Sequence, residues 1–161
     1  MQAITVSDVD LFIPRGFQLK KALPAPREKA FEAWTQPEAI KQWFRPGPGY
    51  EVPFAVVNLR HGSRFKIGLK DPDGKLHLFA GVFTEVRVPE KLVYTWSFGG
   101  GGTHQERSLV AVKFEQKDGQ TELTLSHGLF LNESLKNEQQ KMWEGILESF
   151  ANYLRSSMGR G

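Results

Sequence analysis

Few residues in this chain are suited to chemistry, and His127 leads them. Leu123, Leu125 and His127 alternate near the end of the sequence. In an extended segment, side chains two apart share a face, so the imidazole is directed inward with the two leucines. An imidazole placed there is able to orient a polar group of a ligand, or to act as acid or base near neutral pH. The plainer alternative, preferred over catalysis, is a histidine hydrogen-bonded inside the core or at a strand end. The other histidines are His61, His77 and His104. They fall at or near turns and strand starts, and no pair has a ligand spacing such as His-Glu-x-x-His, so no metal site is expected. Glu85 and Glu106 are candidate inward carboxylates. Alternation sets Glu85 opposite the Val82–Val86 face, and the two glutamates form no recognisable acid–base pair. No serine lies in a Gly-x-Ser-x-Gly elbow. The run Gly99 to Gly102 lacks a following Lys-Ser/Thr or helix start, so it reads as a hairpin tip and not a phosphate loop. With no cysteine, thiolate chemistry, disulfides and Cys-ligated zinc are excluded. No catalytic residue and no cofactor is expected.

Binding is better supplied than catalysis. The aromatic set Trp34, Trp43, Phe44, Phe54, Phe65, Tyr94, Trp96, Trp143 and Phe150 is what an apolar pocket needs. A filled core needs the same residues, because pocket and core differ in volume and not in pattern. The candidate cavity residues are Trp43, Phe54, Phe65, Tyr94, Trp96, His127, Trp143, Leu147 and Phe150. Trp43 is placed at a mouth beside a Gly/Pro-rich loop, and Trp143 in a wall.

The elements that must position these side chains follow from period and punctuation. Gly16 to Leu23 reads as a strand closed by Pro24 and Pro26. Pro26 and Glu28 suit the start of a helix, whose apolar stripe is Ala30, Phe31, Ala33 and Trp34. Pro37 ends it and opens a short second helix, Glu38 to Trp43. Arg45-Pro46-Gly47-Pro48-Gly49 is a loop. Period-two segments then follow: Val52-Phe54-Val56, Phe65-Ile67-Leu69, Leu76 to Val88, Leu92 to Phe98, Leu109 to Phe114 and Thr121 to Leu129. In the Leu76–Val88 segment Leu76, Leu78, Ala80, Val82, Val86 and Val88 share one face, with Phe79 and Phe83 on the other. Residues 134–155 return to a helical period, with Leu135, Met142, Trp143, Ile146, Leu147, Phe150 and Leu154 in one stripe. Ser134 or Asn132 caps this helix. Residues 1–12 read as a loosely held arm and 156–161 as a frayed tail. Strands joined by short turns pair antiparallel. The single long amphipathic helix is the natural cover for their apolar face. The expected fold is α+β: a curved antiparallel sheet of about six to seven strands wrapping a long C-terminal helix, with two short helices after the first strand.

Composition narrows the function classes. The chain has 161 residues, a length usual for one domain. Its net charge is +3 with basic residues scattered among 18 acidic ones, so no nucleic-acid partner is expected. No apolar run reaches the roughly 20 residues of a membrane span. The N-terminus shows no charged region followed by an apolar one, so a cytoplasmic protein is expected. Either a monomer or a homodimer is compatible, the latter through an outer face carrying Phe79 and Phe83.

Several strings resemble the family named for the activator of heat-shock protein 90 ATPase. They are Ala25-Pro26-Arg27-Glu28-Lys29-Ala30-Phe31-Glu32-Ala33-Trp34-Thr35-Gln36-Pro37-Glu38, then Trp43-Phe44 through Gly47-Pro48-Gly49-Tyr50, and Leu59-Arg60-His61-Gly62-Ser63-Arg64-Phe65. Further on, Pro89-Glu90-Lys91-Leu92-Val93-Tyr94-Thr95-Trp96, Thr121-Glu122-Leu123-Thr124-Leu125-Ser126-His127, and Met142-Trp143 with Leu147 are similar to its strands and final helix. Two departures stand out: the family more usually has Pro at the His61 position and often Gly before the Trp143 position. The resemblance covers roughly residues 16–155 and implies a single START-like domain with the helix-grip fold. It implies two roles of different class. One is a cavity for a small apolar or aromatic ligand, the favoured reading. The other is a protein-interaction module that regulates a chaperone ATPase. A cyclase- or hydratase-type enzyme using His127 in the same cavity is a third alternative.

Overall fold

The computed structural model of the chain describes residues 12–98 and 107–159. The arm over residues 1–11, the hairpin tip Gly99 to Gly102, His104 and Glu106 lie outside the described residues.

Strand β1 (Phe17–Leu23) leads into helices α1 (Arg27–Thr35) and α2 (Pro37–Trp43). Six strands follow: β2 (Glu51–Val57), β3 (Arg64–Lys70), β4 (Leu76–Arg87), β5 (Lys91–Phe98), β6 (Ser108–Lys117) and β7 (Gln120–Gly128). Helix α3 (Glu133–Gly159) ends the described chain. The sheet has seven strands in the order β1-β7-β6-β5-β4-β3-β2, and every neighbouring pair is antiparallel. From β2 to β7 the strands simply follow one another, as short turns require. At the Asp71–Lys75 turn the Asp71 carboxylate accepts from the Asp73 and Lys75 amides, both at 2.9 Å. Asp118 and Gly119 both have positive φ, 51° and 81°, as a two-residue hairpin turn that follows strand twist demands. The sheet curls around α3 in the helix-grip arrangement. Trp143, Ile146, Leu147, Phe150, Ala151 and Leu154 form the buried stripe of α3.

Local signals set the helix ends. Pro26 precedes α1 in extended conformation, and its carbonyl accepts the Ala30 amide at 3.0 Å. Asn132, not Ser134, caps α3: its Oδ1 accepts the Leu135 amide at 2.9 Å. Helix α3 also continues through residues 156–159, where the sequence suggests fraying.

Two β-bulges change which side chains face the core. One lies between Glu51 and Phe54, the other between Phe83 and Glu85. An extra residue in one strand flips the alternation beyond it. In β2, Val52 is buried while Ala55 and Val57 pack on the core. Phe54 therefore points outward and covers Gly68, where an added Cβ would meet the Phe54 ring. In β4, Phe79 and Phe83 are buried, and past the bulge Val86 joins the same interior. This corrects the assignment of Phe79 and Phe83 to the outer face, and the aromatic patch suggested for a homodimer is not on the surface. Their rings bury far more apolar area than Leu76 or Ala80, so the interior takes the rings. Leu76 is left 47% exposed.

Among the described residues no helix is long and apolar enough to cross a membrane. Among the same residues no group of three or more His, Asp and Glu is placed to hold a metal ion.

Candidate functional site

The space between sheet and α3 is lined by aromatic rings from every layer. Trp34 on α1 stacks on Trp43 at the end of α2, with ring centroids 4.7 Å apart. Trp34 also lies parallel to Trp143 on α3 at 6.0 Å. From the sheet, Trp96 stacks on Phe79 at 5.0 Å, and Phe65 meets Tyr94 edge-on at 5.2 Å. At the centre a hollow of about 30 Å³ remains, walled by Trp34, Trp43, Phe44, Phe65, Phe83, Tyr94, Trp96 and Trp143 with Thr35 and aliphatic neighbours. That is space for about one or two water molecules. Small-molecule sites usually offer ten times more, about 300–1,000 Å³.

Each indole is fixed by its one polar atom. Trp43 Nε1 donates to the Ala33 carbonyl at 2.8 Å, Trp96 Nε1 to Gln139 Oε1 at 3.0 Å, and Trp143 Nε1 to His127 Nδ1 at 3.0 Å. Trp34 is the side-chain partner of the Tyr94 hydroxyl. Burial pushes the Tyr94 phenol well above its usual value, and the Trp34 contact offsets this only in part. Tyr94 is therefore a neutral hydroxyl at any working pH. The Thr35 hydroxyl donates back to the Phe31 carbonyl at 3.0 Å. No carboxylate, imidazole or amine is among the lining residues. The hollow is apolar apart from the Tyr94 and Thr35 hydroxyls.

His127 stands behind the Trp143 wall, not in the hollow. It is fully buried against Phe17, Phe130, Trp96 and Trp143. Because an indole N–H only donates, Nδ1 must be the bare nitrogen and Nε2 must carry the proton. Nε2–H then donates to Ser108 Oγ at 2.7 Å, and the Ser108 hydroxyl donates to the Trp96 carbonyl at 3.1 Å. Both ring nitrogens of His127 and the Ser108 hydroxyl are thereby engaged. Burial drives the imidazole pKa from 6.5 down to about 3, so the ring is neutral.

The structure brings five of the nine expected residues together at the hollow: Trp43, Phe65, Tyr94, Trp96 and Trp143. Trp43 is almost fully buried instead of standing at a mouth. Phe150 supports the wall from behind, 4.6 Å from Trp43 and 5.0 Å from Trp34. Leu147 belongs to the core without reaching the hollow. Phe54 is on the opposite face, displaced by the first bulge. Sequence reasoning left Ser108 and Gln139 unread, though both position the tryptophans. Gln139 had a signal, since it lies four residues before Trp143 on the apolar stripe of α3.

The family model described as "Activator of Hsp90 ATPase homolog 1-like protein" matches residues 24–155. The chain belongs to this family. A comparison with curated proteins finds no match. Among solved structures, protein CV1439 from Chromobacterium violaceum is similar with a TM-score of 0.77 and 20% identity, over 88% of this chain and 98% of that one. The AHSA1-like protein from Aeromonas hydrophila is similar with a TM-score of 0.72 and 23% identity, over 88% and 94%. DynU16, of the dynemicin biosynthetic locus, gives 0.71 and 20%, over 87% of this chain and 47% of that one. At these identities the solved structures establish a shared fold. The family membership and the seven-stranded sheet around α3 agree on the helix grip.

Proposed function

We propose that this protein binds a small apolar or aromatic molecule between the sheet and α3. The observation that carries the reading is the hollow itself, ringed by aromatic side chains from sheet and helices and free of charged groups. Its volume of about 30 Å³ makes this the closed form, and a guest larger than water enters by displacing a wall. The wall built from α2 and the loop over residues 44–50 is the movable one, because no sheet ladder holds it. A surface crevice of about 370 Å³ is lined by that loop together with Gly145, Glu148, Ser149 and Asn152 of α3. Native mass spectrometry of freshly purified protein, followed by denaturing extraction, tests the reading. A co-purifying molecule of defined mass supports it. Clean apo mass, together with no thermal response to a library of aromatic metabolites, counts against it.

Regulation of a chaperone ATPase is a second reading, supported by the description of the matching family alone. Stimulation of the cognate chaperone's ATP hydrolysis by the purified protein supports it, and unchanged hydrolysis without association removes it. The acid–base alternative is unsupported, since both ring nitrogens of His127 are engaged inside the core.

A further inference from the structure

The outer face of the sheet, opposite the face that lines the hollow, carries a second candidate site. Two rows of side chains cross it. In β3 and β4, Lys66 pairs with Ala80 and Arg64 with Val82. Ala80 pairs in turn with Ser97 of β5. Arg107 precedes Ser108, the partner of Trp96, and so stands beside Ser97. The first row therefore reads Lys66, Ala80, Ser97, Arg107: two small side chains between two long cations. Lys66 and Arg107 are three strand spacings apart, about 14 Å. The second row places Arg64 and Val82 beside Thr95, whose Oγ1 accepts the Val82 amide at 2.9 Å. Its hydroxyl hydrogen is left free to donate.

Between the cations lies a groove of about 410 Å³, with Val56 on its rim. The volume falls within the range of small-molecule sites. No carboxylate lines it. Among the described residues, Arg64, Lys66 and Arg107 have no ion-pair partner. On the same face, Lys20 and Lys117 are paired with Glu122. Val56 is 60% exposed beside the groove.

From this juxtaposition we infer that the groove binds a small phosphate monoester with an apolar body. Two guanidinium forks, one ammonium and two hydroxyls supply more donors than one carboxylate accepts, and a dianion offsets three local cations better than a monoanion. Val56 and Val82 supply apolar contact for the rest of the molecule. The site is independent of ligand binding in the interior hollow.

The test is a titration of isotopically labelled protein with phenyl phosphate, followed by amide chemical shifts at moderate salt. Phenol and a polyglutamate peptide serve as comparators. Saturable shifts confined to residues 64–66, 80–82, 95–97 and 107 are expected, with none from phenol. The doubly substituted Lys66→Gln, Arg107→Gln protein should lose at least roughly tenfold in affinity, since one charged hydrogen bond is worth that much. Lys113→Gln, farther along the same face, should bind as the unsubstituted protein does. Lys66 and Arg107 are exposed and Lys113 is half-buried, and an unchanged melting temperature should confirm folding of each variant. Shifts scattered over all surface cations, or affinity unchanged in the double variant, would overturn the assignment. So would a response to polyglutamate with none to phenyl phosphate, which would make the groove a polypeptide contact.

Discussion

The Trp143 indole donates to Nδ1 of His127 at 3.0 Å, and that bond fixes the charge state of the imidazole. A protonated ring would turn an N–H toward another N–H inside an apolar wall. The resulting neutral histidine supports the tryptophan wall of the hollow.

A pH dependence of stability follows. In the unfolded chain this imidazole takes a proton near 6.5, and in the folded chain only near about 3. Between those values the unfolded state holds more protons, so this group's stabilisation is complete above pH 6.5 and is lost as pH falls toward 3. Urea unfolding at pH 7 and pH 4.5 should show the loss. In His127→Gln the part of the slope due to this residue should vanish. An equal slope in both proteins would mean that His127 titrates normally.

Ser108 is predicted to matter for stability although it touches no ligand space. Ser108→Ala strands the Nε2–H of a fully buried ring and frees the Trp96 carbonyl from its side-chain donor. Loss of about 1–3 kcal/mol in chemical denaturation is expected. A change within error would show that the ring finds another acceptor.

Gly145 controls how closely the loop over residues 44–50 lies on α3. A Cβ at this position would run into the Pro46 backbone. Gly145→Ala should cost about 1–3 kcal/mol through overpacking, and hydrogen exchange of the loop amides should quicken relative to the sheet. Unchanged exchange would show that the loop does not depend on this contact.

Enlarging the hollow should expose its affinity for rings. Phe83 lines it and lies 5.5 Å from Phe65 and 5.8 Å from Tyr94. Phe83→Ala should lose about 3–5 kcal/mol, and saturating toluene should recover part of that in a melting experiment. No recovery would indicate that the surrounding side chains collapse into the space.

Much of this architecture was legible in the sequence, and the failures have physical causes. The stripe of α3, the inward Leu92-Tyr94-Trp96-Phe98 face and the inward His127 all follow from unbroken periods. Phe54 was misplaced because the bulge between Glu51 and Phe54 reverses the later side chains of β2, whereas Phe79 and Phe83 precede the bulge of β4 and were misplaced because the longer run of aliphatic residues on the opposite face reads as the interior one. The hydrogen-bond partners of the tryptophans were hidden for another reason. Ser108 and His127 are 19 residues apart, and only the pairing of β6 with β7 brings them together. The volume of the hollow was beyond any reading of pattern, since a filled core uses the same aromatic residues as a pocket.

Ligand binding in the hollow is tested most directly by melting the protein and its Val57→Phe variant against a panel of small aromatic molecules. Val57 lines the hollow from β2 and is only partly buried, so the added ring fills the space with little strain elsewhere. At a hundredfold excess over its dissociation constant, a true ligand adds about 2.7 kcal/mol of stability. The predicted result is a saturable rise in melting temperature for the unsubstituted protein and none for the filled variant. No response from either protein, or the same response from both, would contradict binding in the hollow.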